Sequence, residues 1–355
     1  MVVLGVDPHK QTHTVVAVDE NGRQLGQITL EARREGHLKL VKWAQRFAGH
    51  DQRRWGVEDC RHVAGRLIDD LVAAGELVVM VPPKLMAGCR SSARTRGKSD
   101  PIDALAVARA VLREPDLPRA WLDEASLHVR LLLDHREDLV AERTRSINRL
   151  RWHLVELDPD LEPGPKTLNR LVTLHRLASQ LVELPASVRR DLAIELIERI
   201  LTDTQRINAL EREIAARVVP LATALLAVPG VGPLTAAKLI GEVAGIDRFR
   251  SSAQLANLAG TACIPVWTGN REKHRLNRGG NRQLNAALHR IAVTQLRIHP
   301  PAKALFDRRR EQHSDTTAGA LRVLKRHLAD VVFHAMNEDH RQPERLPPTG
   351  PRVAA

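Results

Sequence analysis

Three β-forming runs follow one another at the start of this chain with only turns between them. Residues 2–7 (VVLGVD) are β-branched and end in an acid. Residues 13–19 (HTVVAVD) make a second run, with Glu20-Asn21-Gly22 as its hairpin turn, and residues 24–30 make a third. The period then changes. From Glu35 to Phe47 the apolar residues Leu38, Leu40, Val41, Trp43, Ala44 and Phe47 recur at helical spacing. Arg54–Val57 reads as a fourth strand ending at Glu58, residues 62–74 as a helix, and Leu77–Val81 as a buried strand closed by Pro82-Pro83. Three consecutive strands, then alternating helix and strand, restrict this part to a mixed sheet with helices on its faces.

Residues 84–99 (KLMAGCRSSARTRGKS) carry five basic side chains and no acid, and without a clear period they read as a mobile basic loop. Ser99 is placed to cap a helix that opens at Asp100-Pro101 and stops near Glu114-Pro115. Residues 126–157 and 185–218 are long charged helical patterns joined through Asp158–Pro165, either a seam for dimerisation or a helical hairpin within one chain. After Leu226, VPGVGPLTAAKLIGEV has the form of a helix-hairpin-helix, whose Gly turn can present amides to a phosphate. A helix over 248–260, an extended stretch Thr261–Thr268, helices over 281–298 and 317–335, and a Pro-rich disordered tail complete the reading. The expected organisation is α/β followed by all-α, in four parts: 1–124, 125–222, 223–340 and 341–355.

Four acids stand where such elements end or begin. Asp7 closes the first strand and Glu58 the fourth; Asp100 and Asp103 are at i and i+3 of one helix and share a face. With an RNase H-like order of strands, these carboxylates converge on divalent ions. Hard oxygen donors suit Mg²⁺ or Mn²⁺, which activate water and stabilise a leaving oxygen. Each acid taken alone is equally well a turn or cap residue. Asp19, Glu20 and Asp59 are read as bystanders.

Charge points to the partner. Lys and Arg outnumber Asp and Glu by 54 to 42, a net +12, which favours an extended polyanion. Between Thr261 and Arg310 there are eleven Lys or Arg against two acids. Arg271, Lys273, Arg275, Arg278 and Arg282 surround Gly279-Gly280, where a backbone without side chains can approach a phosphate. Arg90, Arg94, Arg96 and Lys98 are further candidates for nucleic-acid contact. Aromatics are only 3% of the chain, so stacking on an aromatic platform does not dominate recognition. The chain has no tyrosine, which excludes any recombinase or topoisomerase that attacks with a phenolic oxygen. Cys60, Cys89 and Cys263 are far apart and form neither a zinc motif nor a disulfide framework. No signal peptide and no membrane span of ~18 apolar residues is read; the expected location is the bacterial cytoplasm, on the nucleoid.

VDPHKQTHTVVAVDENG, VEDC and GKSDPIDALAVARA resemble the DEDD domain of insertion-sequence-110-type transposases, relatives of the Piv DNA invertase. VPGVGPLTAAKLIGEVAGIDRFRSSAQLANLAG and HRLNRGGNRQLNAALH resemble their carboxy-terminal half, in the same order. The resemblance implies a RuvC-like first domain, a coiled-coil linker, and a transposase domain with a serine nucleophile just before a Gly. It also implies DNA as substrate and a structured guide RNA that pairs with it, while the seam of the long charged helices gives a dimer or tetramer as the expected assembly. Here the matching stretch is PVWTGNREKHRLNRGGN, so Thr268 stands where the serine is expected. Its β-methyl restricts χ1 and crowds an in-line approach. Three readings remain open at this point: Thr268 attacks, this copy is impaired, or Ser251 or Ser252 acts instead. A nuclease using the four acids and water alone, and a nucleic-acid-binding remnant, are the competing functions.

Overall fold

β-Branched residues on both sides of the first run place it inside a sheet rather than at an edge. In the computed structural model, β1 (Val2–Pro8) is buried along its whole length. The structure describes residues 1–47, 49, 52–58, 63–91, 99–114, 116–117, 119–120, 124–269, 271–312 and 315–341. Strand β1 pairs antiparallel with β2 (Thr12–Val18), which pairs antiparallel with β3 (Gln24–Glu31). Helix α1 (Arg34–Ala44) follows. Strand β4 (Arg53–Glu58) lies parallel to β1, and after α2 (Gly65–Ala73) comes β5 (Val78–Val81), parallel to β4. The sheet order β3-β2-β1-β4-β5 is the RNase H-like order.

Side chains alternate across this sheet as the period of two requires. Leu4, Val6, Val15 and Ala17 pack with Leu40 of α1 and Leu67 and Leu71 of α2. Val3, Val16 and Val18 face the other way. They meet Met86 and Cys89 of α3 (Pro83–Ser91) and Ala104, Val107, Ala108 and Val111 of α4 (Asp100–Arg113). Residues 83–91 are therefore a helix, not part of a loop: Met86 and Cys89, three apart, bury one face of it. Arg94, Arg96 and Lys98, like Asp59 and Cys60, lie outside the described residues. Ser99 occupies the cap position of α4 in extended backbone, but its hydroxyl makes no capping bond. At the sheet's other end, buried Arg53 and Trp55 both donate to Glu76, Trp55 Nε1 at 2.8 Å from Oε2.

A histidine stack lies beneath the α1–α2 face. His13 of β2 and His37 of α1 are each 1% exposed, with ring centroids 5.2 Å apart. His37 Nδ1 is 2.5 Å from Asp70 Oδ2, while His13 Nδ1 has no partner among the described residues. Burial first, then the nearby His37 and His9, holds the His13 imidazole down to about 4, against an ordinary 6.5. The folded chain thus keeps His13 neutral where the unfolded chain protonates it. Its contribution is complete above about pH 6.5 and is lost as pH falls toward about 4, a total of roughly 3 kcal/mol. His13→Leu, which cannot ionise, is expected to shrink the stability difference between about pH 7.5 and 4.5 by about 2–3 kcal/mol, read by denaturant titration at both values.

The chain forms two compact units, Met1–Asp123 with Asp247–Arg250, and Glu124–Ile246 with Ser251–Ala355. The second unit is helical. Its backbone is α5 (Glu124–Leu157), followed by α6 (Leu171–Glu183) and α7 (Val188–Val218). The register of α5 against α7 is antiparallel: Arg136 pairs with Glu211 at 2.5 Å, Arg143 donates to Thr204 Oγ1 at 3.3 Å, and Glu156 pairs with Arg189 at 2.9 Å. Both helices thus bury a face within one chain, as in a helical hairpin. Helix α6 is absent from the sequence reading, although Leu174, Leu177 and Leu181 give it a buried stripe against Leu150, Leu154, Ile197 and Ile200.

Helices α8 (Thr223–Ala227) and α9 (Pro233–Val243) flank the PGVG turn. Asp339 accepts from the first amides of α8, Ala224 N at 2.7 Å and Leu225 N at 3.0 Å, and so caps it. Lys238 of α9, 3% exposed, is held by Glu137 of α5 at 2.8 Å. The remainder is α10 (Ser252–Leu258), a ribbon of β6 (Ile264–Thr268) and β7 (Arg271–Arg275), then α11 (Arg282–Ile298), α12 (Pro300–Gln312) and α13 (Thr317–Arg341). The sequence reading has no counterpart of β7 or α12. Residues 342–355, read as a disordered tail, lie outside the described residues. Among the described residues no helix is long and apolar enough to cross a membrane.

Candidate active site

The parallel register of β1 and β4 ends on the rung Val6↔Val57. The next residue on each strand is an acid, Asp7 and Glu58. Asp7 follows Val3 and Gly5 in the alternation and so belongs to the α4 face of the sheet. Helix α4 brings Asp100 in its first residue and Asp103 one turn later. Asp7 and Asp103 are each 6% exposed. Burial raises the Asp7 carboxyl above the ordinary carboxylate range, and repulsion from Asp103 and Asp100 raises it further, with His9 opposing. The structure therefore brings Asp7, Asp100 and Asp103 within range of one another's charge.

Two nitrogen-bearing side chains join them. His9 Nε2 lies 3.2 Å from Asp7 Oδ2 and 3.3 Å from Asp100 Oδ1. Arg90, at the end of α3, donates to Asp103 Oδ1 at 2.8 Å. That bond and the charge of Asp103, with a smaller pull from Glu58, raise the Arg90 pKa above its ordinary value. Glu58 thereby acts on the same guanidinium as Asp103. Sequence reasoning missed His9, although its position two residues after the strand-ending acid in VDPHK was the available signal. Arg90 was read for nucleic-acid contact; here its guanidinium is engaged with an acid of the cluster.

This donor set fits a divalent ion. Carboxylate oxygens of Asp7 and Asp100 and a ring nitrogen of His9 all lie within 4.8 Å of one another. Buried acids that repel each other are stabilised by a cation between them. The bystander reading of Asp19 agrees with its role, since its Oδ1 accepts from Asn21 N and Arg23 N, both at 2.9 Å, and closes the β2–β3 turn.

In the second unit, Thr268 is the last residue of β6, at the tip of the ribbon, followed by Gly269 with φ of +58°. The register sets Thr268 opposite Arg271, Val266 opposite Lys273 and Ile264 opposite Arg275. Arg275, Arg278 and Arg282 are exposed and have no ion-pair partner among the described residues. Gly280 has a different reason from the one expected. A Cβ there would lie 2.2 Å from Gly260 N and 2.3 Å from Gly260 Cα, so the missing side chain lets two loops touch rather than admit a phosphate. Asn281 caps α11 through Gln283 N and Leu284 N and donates to Glu242 at 2.5 Å. Ser251 stands at the cap position of α10 without a side-chain capping bond.

Comparison with known proteins gives matches to both halves. Residues 4–159 match a transposase model for the DEDD domain of the IS110 type, and residues 222–307 match the model described as Transposase IS116/IS110/IS902 family. The uncharacterized 44.8 kDa protein of insertion element IS116 from Streptomyces clavuligerus is 28% identical over 97% of this chain and 96% of its own. The 43.6 kDa protein of IS110 from Streptomyces coelicolor is 29% identical over 79% and 81%. The transposase for insertion sequence element IS1111A from Coxiella burnetii is 30% identical over 49% and 48%. A solved structure of T. thermophilus RuvC with a Holliday junction substrate is 18% identical, covering 34% of this chain and 99% of that one, at a TM-score of 0.27.

Proposed function

Because this chain belongs to the IS110/IS116/IS900 family of DEDD transposases, we propose that it cuts and exchanges DNA strands at the ends of an insertion sequence, using Mg²⁺ or Mn²⁺ held by Asp7, Glu58, Asp100 and Asp103. The observation that carries this reading is geometric: ligand atoms of Asp7, His9 and Asp100 lie within 4.8 Å of one another, beside a buried Asp103. Such a group has use for a divalent cation. A bound ion would activate the attacking oxygen and neutralise charge on the scissile phosphate.

The residues of the chain have separate tasks in this scheme. Asp7 and Asp103, rigid on strand and helix, fix the position of the centre; Asp100 and Glu58 complete it toward solvent. Arg90 leaves Asp103 when substrate phosphate supplies a competing partner. Arg275, Arg278 and Arg282, with Arg271 and Lys273, take DNA backbone phosphates. Thr268 attacks phosphorus through Oγ1, forming a threonyl–DNA ester as the 3′ or 5′ oxygen leaves with a proton. A structured RNA that pairs with donor and target DNA reads the sequence, which suits a chain rich in arginine and only 3% aromatic. The protein works as a dimer or tetramer.

The test is cleavage of supercoiled DNA carrying the element's ends, with Mg²⁺ or Mn²⁺, in the presence of the element's own transcript. Wild type should give a covalent protein–DNA adduct, Thr268→Ala should abolish it, and Thr268→Ser should retain or exceed wild-type yield because the crowding methyl is gone. Cleavage without any adduct in all three would replace this mechanism with attack by water. DNA binding that weakens steeply with salt, but no cleavage with either metal, would leave only a binding protein.

A further inference from the structure

The centre proposed above consists of carboxylates, yet one of its nearest polar atoms is a nitrogen. His9 Nε2 sits between two acids, 3.2 Å from Asp7 Oδ2 and 3.3 Å from Asp100 Oδ1. We infer that His9 is a direct ligand of the divalent ion through Nε2, and that this imidazole moves the site's preference from Mg²⁺ toward Mn²⁺ and Co²⁺. The inference rests on the reading of the acids as metal ligands and adds a residue and a selectivity to it.

Three observations support it. First, adjacent donors around a six-coordinate ion with bonds of about 2.1 Å lie about 3 Å apart, and both nitrogen–oxygen separations are close to that. Secondly, the ring is carried by a pinned turn. The His9 backbone N–H donates to Thr12 O at 2.9 Å, and Ala32 N donates to Gln11 O at 2.8 Å, tying the turn to the end of β3. Thirdly, the site is reachable. The side chains of His9 and Asp100 are 50% and 52% exposed while Asp7 is 9%, and His9 borders an open depression of about 560 Å³ with Pro8, Lys10, Gln11, Thr12 and Val63. An imidazole that served only as a hydrogen-bond partner needs one acceptor; this nitrogen is equidistant from two.

Imidazole is a poor ligand for Mg²⁺ and a good one for later first-row ions. The experiment uses full-length protein with Mn²⁺ alone, without DNA or RNA, and compares wild type with His9→Ala, Asp7→Asn and Asp100→Asn, each checked for a wild-type-like melting curve. Bound Mn²⁺ in wild type should show a ¹⁴N coupling by pulsed electron paramagnetic resonance. His9→Ala should lose that coupling and bind Mn²⁺ about tenfold more weakly, while Mg²⁺ affinity, read by competition, changes by less than about threefold. Wild type without the ¹⁴N coupling, or His9→Ala with an unchanged Mn²⁺-to-Mg²⁺ affinity ratio, overturns the role of His9 while leaving the acids in place. Mn²⁺ that fails to bind wild type, or binds Asp7→Asn and Asp100→Asn as tightly as wild type, overturns the acid reading itself.

Discussion

Asp7→Asn should lower metal-dependent DNA strand cleavage by at least about 10³-fold, the several kcal/mol that a bound ion contributes to such a transition state, while leaving the fold as stable as before or more so. The two halves of this expectation come from the same geometry. Asp7 is 6% exposed on a strand flanked by Val6 and Pro8, and burial, with added repulsion from two acids on α4, raises its pKa. Asparagine keeps the shape and removes a buried charge that its surroundings disfavour. The chain then loses repulsion and loses its reason to take up a cation. Melting curves with and without Mn²⁺ read both effects: the variant should melt at or above the wild-type temperature in chelator, and should gain nothing from Mn²⁺, where wild type gains through binding linkage. Retained cleavage in a variant that melts normally would remove Asp7 from the centre.

This pattern explains what could be read from the sequence and what could not. Strand ends are marked by period and by turn residues, so Asp7 and Glu58 are legible as the ends of the first and fourth strands from VVLGVD and RRWGVE alone, while the pairing of those two strands is seen only in the fold. The i, i+3 spacing of Asp100 and Asp103 is likewise local. His9 belongs to a different class of information. Its ring reaches Asp100 across about ninety residues of chain, and only the packing of α4 on the sheet brings the two together. Residues 83–91 show a second limit: five basic groups over sixteen residues suggest a solvated loop, yet Met86 and Cys89 suffice to seat the first half as a helix. In the second unit, Pro163, Gly164 and Pro165 mark a break in the helical pattern, and α6, whose Leu174–Leu181 stripe spans little more than two turns, follows directly on that break. At Gly280 the sequence shows that a side chain is missing but not what fills the space. Gly260, twenty residues earlier, fills it.

Gly5→Ala is expected to be among the most disruptive single methyl groups in the first unit of the chain. Gly5 and Gly56 face one another across the parallel rung of β1 and β4, and α4 lies directly over both. A Cβ on Gly5 would lie 2.1 Å from the Ala104 carbonyl oxygen and 2.4 Å from Ala108 N. These are backbone atoms of α4, with no rotamer to change, so the whole helix must lift. On Gly56 the nearest atom is a Val111 side-chain methyl at 2.4 Å, which can yield in part, and on Gly65 nothing lies within 4 Å. Overpacking a fitted core typically costs about 1–3 kcal/mol, and Gly5→Ala should reach or exceed the upper end, with Gly56→Ala below it. Gly65→Ala, at the start of α2, should be neutral or stabilising by up to about 1 kcal/mol. Denaturant unfolding of the three variants tests this ranking. Because α4 also carries Asp100 and Asp103, whatever folded Gly5→Ala protein remains should have lost the Mn²⁺-induced rise in melting temperature, while Gly65→Ala keeps it. A Gly5→Ala protein with wild-type stability and wild-type Mn²⁺ response would mean that α4 does not rest on this strand, and the placement of Asp100 and Asp103 beside Asp7 would fall with it.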